Sequence, residues 1–262
     1  MRMTRRATLG IAVTGLLAAP AVRRARATEP VSFLFPAPAF LPAFVPHHLA
    51  MKRKYFAAEG VEVTFHTGRG GADVAKQVAV GNMDLGGGVG ETAMIVRANG
   101  LTVKGVALLG GGPLFQIACR KAANIKTLDD LRGKKVGVIG YQDTSYYALL
   151  GVLAARGMHR PDLEIQAVGA AGITQLMIAG SLDAIMATPD WEVAIEKADV
   201  PMDIFPIDAV FPAMAQAVFA SDATIQKRPA AVGGFVNALL HGVRDCLADP
   251  VAAARDFTAA VP

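Results

Sequence analysis

The sequence predicts an α/β protein with two lobes, each a largely parallel β-sheet flanked by helices. Strand-like and helix-like apolar segments alternate along the chain, which is typical of βαβ crossovers. An internal repeat points the same way. Residues 74–85 and 173–184 each contain a helical pattern, a glycine and a hydrophobic–Asp–hydrophobic entry into a strand. The 262 residues are 53% hydrophobic, which is enough for two buried cores.

The first run of elements contains four predicted strands and three predicted helices. Short apolar stretches bounded by glycine or proline predict strands, and longer stretches with a 3.6-residue period predict helices. In chain order the prediction is strand 31–35, helix 41–56, strand 61–66, helix 72–80, strand 83–85, helix 91–98 and strand 101–109.

The second run repeats this alternation and ends in two helices, each of which begins with a proline. Asp143 or Thr144 is a suitable N-cap for the helix that follows the second strand-like segment of this run. The predicted elements are strand 114–119, helix 127–131, strand 135–139, helix 143–156, strand 163–168, helix 173–179, strand 183–187, helix 191–198, strands 202–207 and 215–220, and helices 229–247 and 250–261.

The first 27 residues have the pattern of a secretory signal peptide. Basic residues precede an apolar run at residues 9–22, and Ala25-Arg26-Ala27 offers a small–x–small cleavage site. The pair Arg5-Arg6 also resembles a twin-arginine signal, and an ordinary Sec signal is the alternative. We therefore expect a mature protein that begins at Thr28 and is periplasmic or otherwise exported. No later apolar run is long enough to predict a transmembrane helix.

The charge distribution excludes nucleic acid as the main partner. The formal net charge of the whole chain is +4, but six of its 26 basic residues lie in the first 27 positions, where there is no acidic residue. The rest of the chain has 20 basic and 22 acidic residues, a net charge of about −2. A protein without a basic face cannot neutralise a phosphate backbone.

The sequence lacks the usual catalytic, metal and nucleotide motifs. Cys119 and Cys246 are isolated in apolar patterns, which favours burial over chemistry. Adjacent helical residues such as His47 and His48 point about 100° apart and cannot chelate one metal ion unaided. Ser145 lies in no G-x-S-x-G elbow, and the glycines at 86–90 lack the ending of a phosphate-binding P-loop. We therefore expect no catalytic residue, no metal and no cofactor.

Four loops that follow predicted strands contain most of the candidate ligand contacts. Ligands of open α/β sheets bind beyond the carboxyl ends of the strands. These loops are residues 36–40, 87–91, 140–145 and 188–192, and the repeat offset of 99 aligns Glu91 with Asp190. The expected contacts are Pro38, Phe40, Gly90, Glu91, Tyr141, Asp143, Thr144, Ser145, Asp190, Trp191 and Glu192.

Several segments of the chain resemble the substrate-binding proteins of ABC transporters for nitrate, sulfonates, taurine and thiamine-precursor pyrimidines. The resemblance runs from about residue 31 to residue 262. Its most specific pieces are residues 55–61 (YFAAEGV), 81–84 (GNMD), 128–137 (LDDLRGKKVG) and 180–184 (GSLDA).

This resemblance implies a type 2 periplasmic-binding-protein fold in which a small ligand is held between lobes and delivered to an ABC permease. The implied organisation is a first lobe at 28–112, a second lobe at 113–208 and a return segment at 209–262. Crossing segments near 109–115 and 207–216 would act as the hinge. Relatives continue for further helices, so we expect a shortened return segment. We also expect a monomer that is not an enzyme.

The residue types in the loops favour an aromatic heterocycle, such as a thiamine-precursor pyrimidine, as the ligand. Aromatic side chains can stack on a ring, and carboxylates can accept hydrogen bonds from ring N–H or amino groups. Arg69 is the only basic residue nearby. If Trp191 stacks on the ligand, its loss should weaken binding and leave the stability of the free protein unchanged. The alternatives are a sulfonate, taurine or nitrate ligand and, from another class, a pyrimidine synthase on the same fold.

Overall fold

The computed structural model describes residues 28–260, in which ten strands form two five-stranded sheets. The predicted signal peptide, residues 1–27, lies outside the described residues. The strands are β1 (Glu29–Phe35), β2 (Val61–Thr67), β3 (Leu85–Val89), β4 (Val103–Leu108), β5 (Gln116–Arg120), β6 (Lys135–Val138), β7 (Glu164–Ala167), β8 (Ala184–Ala187), β9 (Met202–Pro206) and β10 (Gln216–Ser221).

Helices cover both faces of the sheets. The α-helices are α1 (Val45–Lys52), α2 (Tyr55–Ala58), α3 (Gly71–Ala79), α4 (Glu91–Ala98), α5 (Thr144–Ala155), α6 (Ile173–Ile178), α7 (Pro189–Glu196), α8 (Asp222–Lys227), α9 (Pro229–Ala248) and α10 (Pro250–Ala260). Short 3₁₀ turns lie at Pro42–Phe44, Lys121–Ala123, Leu128–Leu131 and Arg160–Asp162. Among the described helices, none is long and apolar enough to span a bilayer.

The strand order is β2-β1-β3-β10-β4 in the first sheet and β7-β6-β8-β5-β9 in the second. In each sheet four strands run in one direction and a single strand, β10 or β5, runs against its two neighbours. The predicted α/β fold with two largely parallel sheets is therefore confirmed. We call the first sheet with its helices the first lobe and the second sheet with its helices the second lobe. Residues 109–115 and 207–215 join the two.

The repeat detected in the sequence has a matching structural role in both lobes. Asp84 precedes β3 and its carboxylate accepts a hydrogen bond of 2.8 Å from the backbone N–H of Ser32 in β1. Asp183 precedes β8 and accepts an equivalent bond of 2.8 Å from the N–H of Lys135 in β6. The aspartate of each Gly-x-x-Asp motif thus ties the start of one strand to the adjacent strand.

The glycine-rich segment that was predicted as a loop after a strand at 83–85 is itself a central strand. The five residues of β3 are all buried. A Cβ atom on Gly86 would overlap Val74 of α3, and one on Gly88 would lie 2.7 Å from the ring of Phe219. The glycines therefore allow α3 and β10 to pack closely on β3, and they form part of a strand and not a turn.

The prediction of one continuous helix at 41–56 is wrong. The structure has a 3₁₀ turn, then α1, then α2, and Lys54 between the two helices adopts a left-handed conformation with φ of 60°. Lys54 breaks the helical geometry, so α2 turns away to place Phe56 in the core against Phe235. The short helix α8 was not predicted.

The crossing of α1 and α9 gives a testable prediction about stability. A Cβ atom on Gly242 would overlap the backbone carbonyl of Pro46, whereas one on Gly233 of the same helix would meet no atom within 4 Å. We expect Gly242→Ala to lower the free energy of unfolding by about 1–3 kcal/mol, because backbone must move. Gly233→Ala should raise it by about 0.5–1 kcal/mol through helix propensity. Equal effects in urea denaturation would contradict this packing.

Candidate functional site

A cavity of about 60 Å³ lies between the two lobes. Small-molecule sites typically measure about 300–1,000 Å³, so the lobes must separate further to admit a ligand of that size. The cavity lies beyond the carboxyl ends of β1, β3, β6 and β8. Its described lining residues are Pro36, Ala37, Leu41, Ala43, Phe44, Gly71, Gly88, Val89, Leu114, Phe115, Ile139, Asp143, Thr144, Thr188, Asp190, Trp191 and Gln216.

Three aromatic residues contribute to an otherwise mostly aliphatic wall. Phe44 comes from the first lobe, Phe115 from a crossing segment and Trp191 from the first turn of α7. Trp191 is only 5% exposed, because it also packs in the second-lobe core around Ile173 and Ile195. Its position is fixed by that packing, and only a small part of the indole is exposed at the cavity wall.

The polar groups of the cavity are hydroxyls, one amide and two carboxylates. Thr144 and Thr188 supply hydroxyls, Gln216 supplies the amide, and Asp143 and Asp190 supply the carboxylates. None of the described lining residues is lysine, arginine or histidine. The side chains of this wall therefore add negative charge and offer mainly hydrogen-bond acceptors.

Asp143 connects the two lobes through one buried carboxylate. As the N-cap of α5, its Oδ1 accepts hydrogen bonds from the backbone N–H of Ser145 at 3.0 Å and from the Ser145 hydroxyl at 2.8 Å. Its Oδ2 accepts a bond of 3.1 Å from the N–H of Gly71, the first residue of α3 in the opposite lobe. The carboxylate thus lies between the N-termini of two helices, where negative charge is stabilised.

Two further contacts join the lobes beside Asp143. The hydroxyls of Thr92 and Thr144 form a short hydrogen bond, and Lys76 Nζ donates to Gln142 Oε1 at 2.9 Å. Together with the Asp143 bond to Gly71, they link α3 and α4 of the first lobe to the start of α5. The two lobes are therefore held together on this side of the cavity.

Four of the residues expected from the sequence to contact ligand line this cavity: Asp143, Thr144, Asp190 and Trp191. Ser145 lies behind the wall, where its hydroxyl also accepts a bond of 3.0 Å from the N–H of Ile139. It therefore orients Asp143. The other six do not line the cavity: Pro38, Phe40, Gly90, Glu91, Tyr141 and Glu192.

Each of these six has a local reason for its position. Phe40 is 60% exposed in the turn after β1. Tyr141 is 47% exposed and its hydroxyl donates to the carbonyl of Ile165 at 3.0 Å, which turns the ring towards β7. Pro38 lies in the same turn as Phe40, and its carbonyl accepts from the N–H of Leu41. Gly90 lines a separate surface groove beside β4.

Glu91 and Asp190 do not occupy the equivalent positions at the cavity that the sequence repeat led us to expect. Asp190 lines the cavity, but the Glu91 carboxylate accepts a hydrogen bond from the backbone N–H of Met214 in a crossing segment. Glu192 is half-buried outside the lining. Burial, followed by the nearby carboxylates of Glu196 and Asp190, raises its pKa.

The sequence reasoning missed the aliphatic and aromatic part of the wall. Pro36 and Ala37 lie in a loop that was considered, but Phe44 was assigned to a helix interior and Phe115 to a strand. Gln216 lies at the first position of β10. No motif marks these residues, since their place in the cavity depends on how the crossing segments meet the lobes. Across residues 28–260, no group of three His, Cys, Asp or Glu side chains could hold a metal ion.

Comparison with known proteins places this fold in a family. The family model described as NMT1/THI5-like matches residues 41–253. The riboflavin-binding protein RibY of Chloroflexus aurantiacus is 31% identical over 212 residues, which are 79% of this chain and 60% of RibY. The chain thus matches about three fifths of the length of that relative. A 4-amino-5-hydroxymethyl-2-methylpyrimidine phosphate synthase of Schizosaccharomyces pombe is 27% identical over only 38% of this chain and 29% of the synthase.

The fold is shared with solved periplasmic binding proteins. The alkanesulfonate-binding protein SsuA of Xanthomonas axonopodis, bound to MOPS, superposes with a TM-score of 0.73 over 90% of this chain and 81% of SsuA, at 16% identity. The resemblance stated from the sequence motifs is confirmed at the level of family and fold. The family match covers most of the chain, and so this protein belongs to the NMT1/THI5-like family and has a periplasmic-binding-protein fold.

Proposed function

We propose that this protein is the solute-binding component of an ABC importer and that it captures an aromatic, nitrogen-bearing heterocycle between its lobes. The observation that carries the proposal is the composition of the cavity wall. It combines the rings of Trp191, Phe115 and Phe44 with the carboxylate of Asp190, and its described residues include no cationic side chain. Rings suit stacking, and a carboxylate suits a ring N–H or amino donor.

A pyrimidine and a flavin both fit this chemical class. A thiamine-precursor pyrimidine carries one ring and an amino group. Riboflavin, which is in the name of the relative RibY, carries a larger fused ring with an N–H flanked by carbonyls. The cavity of about 60 Å³ is smaller than the typical small-molecule site, so the lobes must separate to admit either molecule. We therefore propose the class and leave the choice between the two to a direct comparison of affinities.

The wall composition disfavours a sulfonate or nitrate ligand. An oxyanion in a mostly apolar cavity needs cationic or N–H donors. Here the two carboxylates would repel it, and the N–H of Gly71 at the start of α3 is already bonded to Asp143. The sulfonate-binding relatives share the fold at low identity, which says nothing about the contents of this cavity.

A pyrimidine synthase is the alternative from another class, and the described chemistry gives it little support. Neither Cys nor His is among the described lining residues. Cys119 is buried in β5, and burial together with Asp203 and Asp183 raises the pKa of its thiol to about 12. Such a thiol is not a nucleophile at neutral pH. We propose binding without conversion, in an exported monomer that docks transiently on a permease.

A binding screen on the purified chain tests this proposal. Trp191 is the only tryptophan, so its fluorescence reports directly on the cavity. Riboflavin, 4-amino-5-hydroxymethyl-2-methylpyrimidine, MOPS, taurine and nitrate should each be titrated by calorimetry and by tryptophan emission. We expect heat and an emission change with at least one heterocycle and with none of the anions. If only an anion bound, the proposal would be rejected in favour of an oxyanion-binding protein. If mass spectrometry detected a converted product, it would be rejected in favour of an enzyme.

A further inference from the structure

We propose that Asp143 sets the charge selectivity of the cavity. Its carboxylate occupies the position that an anionic ligand would need, and its hydrogen bond to Gly71 holds the two lobes together there. This inference rests on the proposed function, since it concerns the same cavity. Asp143 is 5% exposed and lines the wall, although its carboxylate already accepts three hydrogen bonds. A structural cap alone would not need the bond to the opposite lobe.

The geometry around Asp143 explains why a second anion is excluded. Its two oxygens use N–H groups at the starts of α3 and α5, two of the helix N-termini at this cavity that favour negative charge. A Cβ atom on Gly70 would lie 3.1 Å from Asp143 Oδ2, so the backbone of the α3 N-terminus closely surrounds the carboxylate. The negative charge of Asp143 would repel an oxyanion at this position, and the N–H groups that could have bound the oxyanion already donate to Asp143.

The same bond contributes to closure of the lobes. In a two-lobed binding protein, a ligand favours the closed state through contacts that only the closed state makes. The bond between Asp143 and Gly71 is a contact of that kind made by the chain itself, and the Thr92–Thr144 and Lys76–Gln142 bonds lie beside it. A ligand of this protein therefore does not have to supply an anionic group to hold α3 against α5.

The test is a pair of matched substitutions, Asp143→Ser and Asp190→Ser. Serine retains the N-cap of α5 but is too short to reach Gly71, so Asp143→Ser frees that N–H. Asp190→Ser removes the same charge from the same cavity and leaves the Gly71 bond intact. We expect Asp143→Ser to raise the affinity for methanesulfonate and MOPS about 10-fold or more over the wild type, and Asp190→Ser to raise it far less. Small-angle scattering of the ligand-free Asp143→Ser variant should show a larger radius of gyration.

The outcomes separate this inference from the proposed function. Equal anion affinities for the wild type and Asp143→Ser, or equal gains in both variants, would overturn the role of Asp143. A gain confined to Asp143→Ser, in a protein that binds no heterocycle, would support that role and reject the heterocycle. If Asp143→Ser does not fold, Asp143→Asn retains the size and the cap without the charge. It should also gain anion affinity, and failure to do so would overturn the inference.

Discussion

Replacing Trp191 with alanine is expected to weaken the binding of an aromatic heterocycle about 5- to 150-fold. Loss of a stacking aromatic costs about 1–3 kcal/mol of binding free energy, and each 1.4 kcal/mol changes the dissociation constant tenfold. The indole lines the cavity from the second lobe, and Phe44 lines it from the first lobe. Calorimetric titration of wild type and variant with the heterocycle found in the screen measures the change.

Trp191 is also a core residue, which changes how this experiment must be controlled. From the sequence alone we expected the free protein to keep its stability without Trp191. The side chain is only 5% exposed and packs around Ile173 and Ile195, so truncation to alanine should lower the free energy of unfolding by about 3–5 kcal/mol. Trp191→Phe retains an aromatic ring and much of the packing, so it should lose less ligand affinity and less stability than Trp191→Ala.

Ile195 of the same helix provides the matched control. It is fully buried in the same core as Trp191 and does not line the cavity. Ile195→Ala should lower the free energy of unfolding by about 2–5 kcal/mol while it leaves the dissociation constant within about twofold of the wild type, since its side chain has no contact to lose. If Trp191→Ala and Ile195→Ala weaken binding equally, Trp191 acts through the core and does not stack on the ligand.

Much of the fold could be predicted because periodicity and turn residues are local properties. Nine of the ten predicted strands coincide closely with observed strands, whereas the strand predicted at 83–85 is shifted to β3 (Leu85–Val89). The structural repeat was detectable because each lobe uses an aspartate, Asp84 or Asp183, to accept the N–H of the adjacent strand. The failures are tertiary. The glycines of β3 indicated a loop by composition, but they are required by close packing of Val74 and Phe219.

The site was harder to predict because a cavity between lobes depends on side-chain direction as well as position along the chain. Loops after strands were correctly expected at one edge of each sheet. Within them, Trp191 points to the cavity, whereas Tyr141 is drawn away by its hydrogen bond to Ile165. The bond between Asp143 and Gly71 joins residues 72 positions apart, and no local pattern in the sequence reports such a contact.

A second large effect is expected on acid stability, from a histidine buried among phenylalanines. His47 is 1% exposed, and its ring centre lies 5.0 Å from that of Phe33 and 5.1 Å from that of Phe35. Neither ring nitrogen has a hydrogen-bond partner in the described structure. Burial, and to a lesser degree the neighbouring His48, lowers the pKa of His47 from 6.5 to about 3.

The sign of the effect follows from the direction of this shift. Between pH 6.5 and 3 the unfolded chain binds a proton at His47 that the folded chain does not, so acid favours unfolding. The contribution of His47 to stability is complete above pH 6.5 and is lost as the pH falls towards 3. At pH 5 the loss from this residue is about 2 kcal/mol, since one pKa unit corresponds to about 1.4 kcal/mol. His48, whose pKa is also lowered by burial, adds to the loss.

Between pH 7.5 and pH 5, we therefore expect the free energy of unfolding of His47→Leu to fall by about 2 kcal/mol less than that of the wild type. Leucine is apolar, fills a similar volume and leaves no unpaired nitrogen in the aromatic cluster. His66→Gln is the control, since His66 is an exposed histidine on β2 and its removal should leave most of the acid sensitivity in place. Urea denaturation at half-unit pH steps gives the three curves. Parallel pH dependence in wild type and His47→Leu would mean that His47 takes up its proton in the folded state at an ordinary pKa, with water reaching the phenylalanine cluster.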